Sequence, residues 1–194
     1  MEIRLKNICK SYGGKQVLNN VNLTLAPGQI TCMMGASGIG KTTLVGILAG
    51  TVKADSGEIL GLEPDGGKVS LVFQEDRLLE WETALANVLF VVNPAHKYVE
   101  QAKRLLVQAG LSDSINKKVP ELSGGMKRRV CICRALIADY DLLILDEPFK
   151  GLDSETKPVI MRMVKEHLRE GTCVLCVTHD AAEVGFLGGR LVVL

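Results

Sequence analysis

The sequence predicts an α/β fold: a mostly parallel core sheet covered by helices, an N-terminal antiparallel β part, and an inserted helical subdomain. Three observations carry this prediction. Short apolar, β-rich runs alternate with helical patterns along most of the chain. Two segments of alternating polarity, joined by a glycine turn, precede them. Residues 75 to 130 contain no strand pattern.

The elements follow in order. Residues 2–8 and 17–25 alternate apolar and polar, the period of half-buried strands, and "GGK" at 13–15 makes the turn between them. Four later runs are apolar without alternation: "ITCMM" at 30–34, "VSLVF" at 69–73, "LLIL" at 142–145 and "CVLCV" at 173–177. Unbroken runs of this kind suit strands buried on both faces. Helical spacing appears near 41–50, 95–109, 123–138, 155–169 and 180–187. The 194 residues read as one domain, with a core from 1–74 and 134–194 and the helical subdomain at 75–133.

Composition bounds the function. Hydrophobic residues make up 47%, enough for a core, and the formal net charge is +1. No charge block marks a nucleic-acid partner, so none is expected. The six cysteines sit mostly in apolar runs and read as reduced core residues of a cytosolic protein. "CVLC" at 173–176 has CxxC spacing, but on a strand its two thiols face opposite ways, which disfavours a metal or redox pair. "MEIRLKNICK" is not a signal peptide, and no apolar run approaches the roughly 18 residues of a spanning helix. A soluble protein is expected, reaching a membrane only through a partner.

Each of the four apolar runs ends in polar chemistry: Gly35, Gln74, Asp146 with Glu147, and Thr178 with His179. Open α/β sheets bind ligands beyond the carboxyl ends of their strands, so parallel neighbours would bring these groups to one edge.

The first of these ends is the most specific. "GASGIGKT" at 35–42 fits G-x-x-x-x-G-K-[ST], between a strand and a helix as the motif requires. Its glycines let backbone N–H groups curl around phosphate oxygens at the helix's positive end. The predicted fold is therefore a P-loop NTPase. Gly35, Ser37, Gly38, Gly40, Lys41, Thr42 and Thr43 are the nucleotide-binding candidates. Lys41 would reach the β- and γ-phosphates of ATP, and the Thr42 hydroxyl would bind Mg²⁺. In "LLILDEP", Asp146 would join the metal shell, and Glu147 would orient or deprotonate the attacking water. The alternative for Glu147 is an exposed acid at a strand end. His179 would touch the γ-phosphate, or serve structure alone.

A second anion device lies at "ELSGGMKRRV", residues 121–130. Ser123 is a natural N-cap, and Met126, Val130, Cys133 and Ile137 define one buried face. Lys127, Arg128 and Arg129 crowd the first turns, where each cation opposes the helix dipole at a cost of up to about 1 kcal/mol. Either an incoming anion removes that conflict, or the three side chains splay into water.

"LSGGM" between the glycine loop and "LLILDEP", followed by "GLD" at 151–153 and "THD" at 178–180, resembles the ATP-binding subunits of ABC transporters. The resemblance covers nearly the whole chain. It implies two copies sandwiching two ATP molecules head to tail, the signature of one covering the phosphates held by the other. By position it implies that Tyr12 stacks on adenine and that Gln74 joins the metal shell and senses the membrane subunit. Ser123, Gly124 and Gly125 would form the signature, Glu147 the catalytic carboxylate, His179 the switch histidine, and Asp153 an aspartate that crosses the dimer interface. "QEDRLLEWETALANV" at 74–88 is similar to the taurine, sulfonate and nitrate importers, which take substrate from an external binding protein. Trp81 would then lie on the surface that receives the membrane subunit, unless it is an ordinary buried aromatic.

Met126 stands where the family usually has glutamine, Glu80 replaces a usual proline, and Ala36 replaces a common one. Relatives often continue beyond "GRLVVL", so no C-terminal regulatory part is expected here. The implied function is an ATPase on the inner face of the cell membrane, bound to permease subunits and powering uptake of a small anion. A non-transport ABC ATPase acting on nucleic acid or ribosomes is the alternative; a small-molecule kinase is disfavoured by Glu147 and "LSGGM".

Overall fold

The structure, a computed structural model, describes residues 2–62 and 68–194. The chain divides into two compact units, one of residues 1–71, 140–146 and 169–194, the other of 72–139 and 147–168.

In the first unit, β1 (Ile3–Tyr12) and β2 (Lys15–Leu25) form the expected antiparallel hairpin, with Ile3 opposite Leu25 and Leu5 opposite Leu23. Alternation puts Ile3, Leu5, Leu23 and Leu25 into the core while Arg4 and Lys6 face out. A third strand not foreseen from the sequence, β4 (Ser56–Leu60), pairs with the other edge of β1. Its "SGEIL" lacks alternation and is mostly exposed, so pairing rather than pattern creates it. Gly57 makes that pairing possible: at φ 98°, a Cβ there would lie 2.6 Å from the carbonyl oxygens of Lys6 and Asn7.

The second sheet contains β3 (Ile30–Met34), β5 (Val69–Val72), β6 (Leu142–Asp146), β7 (Cys173–Val177) and β8 (Arg190–Val193), in the order β5-β6-β7-β3-β8. β6 and β7, β7 and β3, and β3 and β8 pair in parallel. The central strands are buried along their length, as their unbroken apolar runs require. β8 was not foreseen; it is a four-residue, largely exposed edge. Helices α1 (Lys41–Leu48) and α6 (Ala181–Leu187) belong to this unit. Leu44, Val45 and Leu48 of α1 join Leu5, Leu25, Ile144, Leu175 and Val177 in one core. Each such buried aliphatic side chain contributes about 1.5–3 kcal/mol.

The second unit is helical: α2 (Ala84–Leu89), α3 (Val99–Gln108), α4 (Gly124–Ile137) and α5 (Thr156–Glu166). α4 packs against the other three. α3 turns Ala102, Leu105 and Leu106 inward from otherwise polar surroundings, the pattern read from the sequence. The short α2 was not foreseen. Thr83 caps it by accepting from the Ala86 N–H at 3.1 Å. Among the described residues, no helix is long and apolar enough to cross a membrane.

Candidate functional site

In the first unit, β3, β6 and β7 run parallel, so Gly35, Asp146 and Thr178 meet at one edge of the sheet. Three of the four polar strand ends are thereby brought together; Gln74 and Glu147 belong to the second unit. The loop from Gly35 to Gly40 bridges β3 and α1, with Ala36 to Ile39 exposed. Gly38 and Gly40 have φ of 78° and 115°, and a Cβ on Gly40 would sit 2.7 Å from Leu18 Cδ2. Only glycine fits there. α1 begins at Gly40 with no side-chain cap, so its first N–H groups point into the loop unassisted. Lys41 curls back and donates to the carbonyls of Gly35 at 2.8 Å and Ala36 at 2.9 Å, which sets its ammonium within the loop. Ser37 and Thr42 are exposed and Thr43 is half-buried. A phosphate fits this cradle of uncapped N–H groups and one ammonium.

Thr42 opens onto solvent at the second position of α1, while Asp146 is 6% exposed at the end of β6, against which α1 packs. A hydroxyl and a carboxylate are hard oxygen donors, suited to Mg²⁺. Among the described residues no cluster of three or more His, Cys, Asp or Glu could hold a metal by itself.

Beyond β7, Thr178 is buried and His179 exposed. Sequence reasoning missed Glu183. It lies buried in the first turn of α6 and accepts from Thr178 Oγ1 at 2.5 Å, while Thr178 Oγ1 accepts from the Asp180 N–H at 3.1 Å. Asp180 caps α6 through the Ala182 N–H at 2.8 Å. The turn that presents His179 is thus fixed from both sides. The only advance signal was Glu183's place three residues after the cap Asp180.

Tyr12 is 49% exposed at the end of β1, with Lys10 Nζ 5.4 Å from its ring centre. None of the six cysteines forms a disulfide. Cys176 lies opposite Cys32 on β3 rather than near Cys173, so the CxxC spacing makes no pair.

In the second unit, Ser123 is the N-cap of α4, accepting from the Met126 N–H at 3.3 Å. Gly124 is exposed, and apart from its chain neighbours and its own helix backbone no described atom lies within 4 Å of where its Cβ would stand. A Cβ on Gly125 would make ordinary contact with the Gly151 carbonyl at 3.6 Å. Neither glycine has a positive φ. The fold therefore has no need of two glycines in this helical turn, although each costs helix stability.

The expectation that the cations that follow splay into water is overturned for two of them. Arg129 donates to the carbonyls of Gly125, Ala109 and Gly110 at 3.2, 2.7 and 3.2 Å. Arg128 is buried among backbone carbonyls and Asp76. Neither splays into water: backbone carbonyls take up their N–H donors, and Asp76 also pairs with Arg128, arrangements that sequence spacing cannot reveal.

Gln74 is exposed. Glu147 is no exposed strand-end acid: its side chain is 19% exposed and Oε2 lies 3.0 Å from Lys150 Nζ. Its φ is 45°, a conformation that costs a non-glycine residue about 1–3 kcal/mol. Asp153 is exposed and accepts from the N–H groups of Thr156 at 2.7 Å and Glu155 at 3.1 Å. Those bonds, Thr156's first, hold its carboxyl below the usual aspartate range. Trp81 is 69% exposed, which excludes the buried-aromatic reading. The chain on either side of it is tied to Asn87 of α2, whose buried amide accepts from the Leu79 N–H and donates to the carbonyls of Leu79 and Thr83.

The sequence profile of the ABC transporter family matches residues 18–150. The chain is 38% identical to the bicarbonate transport ATP-binding protein CmpD of Synechocystis, covering 99% of this chain and 73% of that protein. It is 36% identical to the taurine import ATP-binding protein TauB of Escherichia coli, over 99% and 79% of the two chains. With the aliphatic sulfonates import ATP-binding protein SsuB 2 of Pseudomonas syringae the identity is 38%, over 99% and 69%. Among solved structures, the dimeric bacterial ABC transporter cassette MJ0796 superposes with a TM-score of 0.86 at 32% identity, covering 99% and 94%. A post-hydrolysis dimer of the same cassette, bound to ADP and Pi, gives 0.86 at 33%.

Proposed function

The chain belongs to the ABC transporter family and is an ATPase of that family, and from this premise we propose that it works as a dimer whose sites are completed in trans. One observation carries the proposal: the signature's Gly124 is exposed and sterically free, so its missing side chain serves something that approaches from outside the chain. An N-terminal helical turn with bare N–H groups is suited to the γ-phosphate of ATP held in another copy's glycine loop. The whole of 1–194 acts as one ATPase domain in this reading.

The residues take the following parts. Gly35, Ser37, Gly38, Gly40 and Thr43 wrap the phosphates, Lys41 neutralises them, and Tyr12 stacks on the base. Thr42, Gln74 and Asp146 hold Mg²⁺, which when bound offsets charge on the β- and γ-phosphates. Glu147 orients and deprotonates the attacking water, and His179 contacts the γ-phosphate. Ser123, Gly124 and Gly125 cover the partner's nucleotide, and Asp153 meets the partner at the interface.

The subunit would sit on the inner face of the cell membrane, docked to permease subunits through the Trp81 surface and served by an external binding protein. The cargo would be a small anion such as a sulfonate or nitrate. Relatives named for bicarbonate, taurine and aliphatic sulfonates support that class. Ser123→Arg tests the reading. Turnover should vanish while the monomer binds ATP as before; a parallel loss of ATP affinity would mean that the signature acts on its own nucleotide.

A further inference from the structure

Arg128 lies in the second turn of α4 and is 3% exposed. Its guanidinium reaches two chain segments remote in sequence. Nε donates to the Pro148 carbonyl at 3.1 Å and Nη2 to the Glu147 carbonyl at 2.6 Å. Nη1 donates to the Phe73 carbonyl at 2.5 Å, is 3.4 Å from the Gln74 carbonyl, and pairs with Asp76 Oδ1 at 3.2 Å. All of these groups lie within the helical unit.

The geometry of the contacts has consequences. A guanidinium is a rigid planar fork, so groups bonded to its separate nitrogens are held at fixed mutual positions. Glu147 occupies a left-handed backbone conformation that a glutamate does not adopt unaided. Such a conformation persists only where its surroundings over-determine it. The carbonyls of Glu147 and Pro148, directly after the strained φ, are the ones Arg128 grips. The same fork holds Phe73, Gln74 and Asp76, and its own helix begins at the signature cap Ser123.

We propose that Arg128 is a positioning residue for ATP hydrolysis, holding Glu147 in its strained pose and linking the signature helix and the Gln74 segment to it through one side chain. The proposal rests on Glu147 being the carboxylate that acts on the attacking water. Arg128 touches neither nucleotide nor water in this role. Its effect is on the rate of the chemical step, not on ATP affinity.

The test compares Arg128→Met, Arg128→Lys and Glu147→Gln with wild type, measuring kcat, KM for ATP, monomer ATP affinity and melting temperature. Misplacing a catalytic group by about 1 Å costs on the order of 10²-fold, so Arg128→Met should lose about that much kcat with KM and affinity little changed. Lysine keeps the charge but cannot span both segments, so Arg128→Lys should also stay well below wild type. Free guanidinium should raise the kcat of an Arg128→Ala variant where ammonium at equal ionic strength does not. Should Arg128→Met fail to fold, the lysine variant decides. A folded Arg128→Lys protein with wild-type kcat overturns the proposal, as does a kcat loss that only tracks lost ATP affinity and melting temperature. Wild-type turnover by Glu147→Gln would instead overturn the assignment of Glu147 on which it rests.

Discussion

Gly124→Ala separates a glycine kept for a visitor from one kept for the fold. Beyond its own helical turn its added methyl meets no described atom within 4 Å, and the backbone φ is not positive. Alanine is a better helix former by up to about 1 kcal/mol. For a chain of this size 1 kcal/mol moves Tm by about 2–4 °C, so the variant should melt at or slightly above the wild-type temperature. Gly40→Ala is the counter-case. Its Cβ would lie 2.7 Å from Leu18 Cδ2 at a φ of 115°. Backbone strain of about 1–3 kcal/mol and overpacking of a similar size should lower Tm by several degrees. Thermal melts read stability, and phosphate release with light scattering reads function. Gly124→Ala should lose turnover and ATP-dependent dimer despite its unimpaired fold. A variant destabilised by more than about 1 kcal/mol, or one hydrolysing ATP at the wild-type rate, would refute the reasoning.

Further outcomes follow from other positions. Ser123→Ala removes the cap on the Met126 N–H and should cost about 1 kcal/mol, seen as a lower midpoint in urea. Trp81→Ala should change stability by less than about 0.5 kcal/mol, the side chain being exposed, while co-purification with the membrane subunits is lost. Burial pushes the Cys131 and Cys133 thiols up to about 12 from an ordinary 9.0. The folded state thus keeps protons that the unfolded chain releases above pH 9.0. The resulting stability is present below that pH and is lost as pH rises toward 12, by about 1.4 kcal/mol per thiol per unit. Denaturation midpoints above pH 9.0 should fall less steeply in a Cys131→Ala/Cys133→Ala protein.

What the sequence revealed depended on how local each signal was. The buried strands announced themselves by unbroken apolar runs, and the glycine loop by a motif whose every residue has a steric or electrostatic reason. Ser123 read as a cap because capping is decided within three residues. β4 and β8 were invisible because pairing partners far along the chain create them, as Gly57 against Lys6 and Asn7 shows, and α2, with six residues, is too short to display a helical period. The fates of Arg128 and Arg129 were misread for the same reason. The carbonyls that accept from them lie on segments up to 55 residues away. The strained φ of Glu147 and its pairing with Lys150 likewise need the folded turn to be seen.

The central claim is that a finished ATP site needs two chains. Light scattering on Glu147→Gln, saturated with ATP and Mg²⁺, tests it most directly. Twice the mass of one chain, reverting to a single chain when Ser123→Arg is added, is the predicted result. A single-chain mass at saturating ATP, with the nucleotide shielded from solvent, would contradict it.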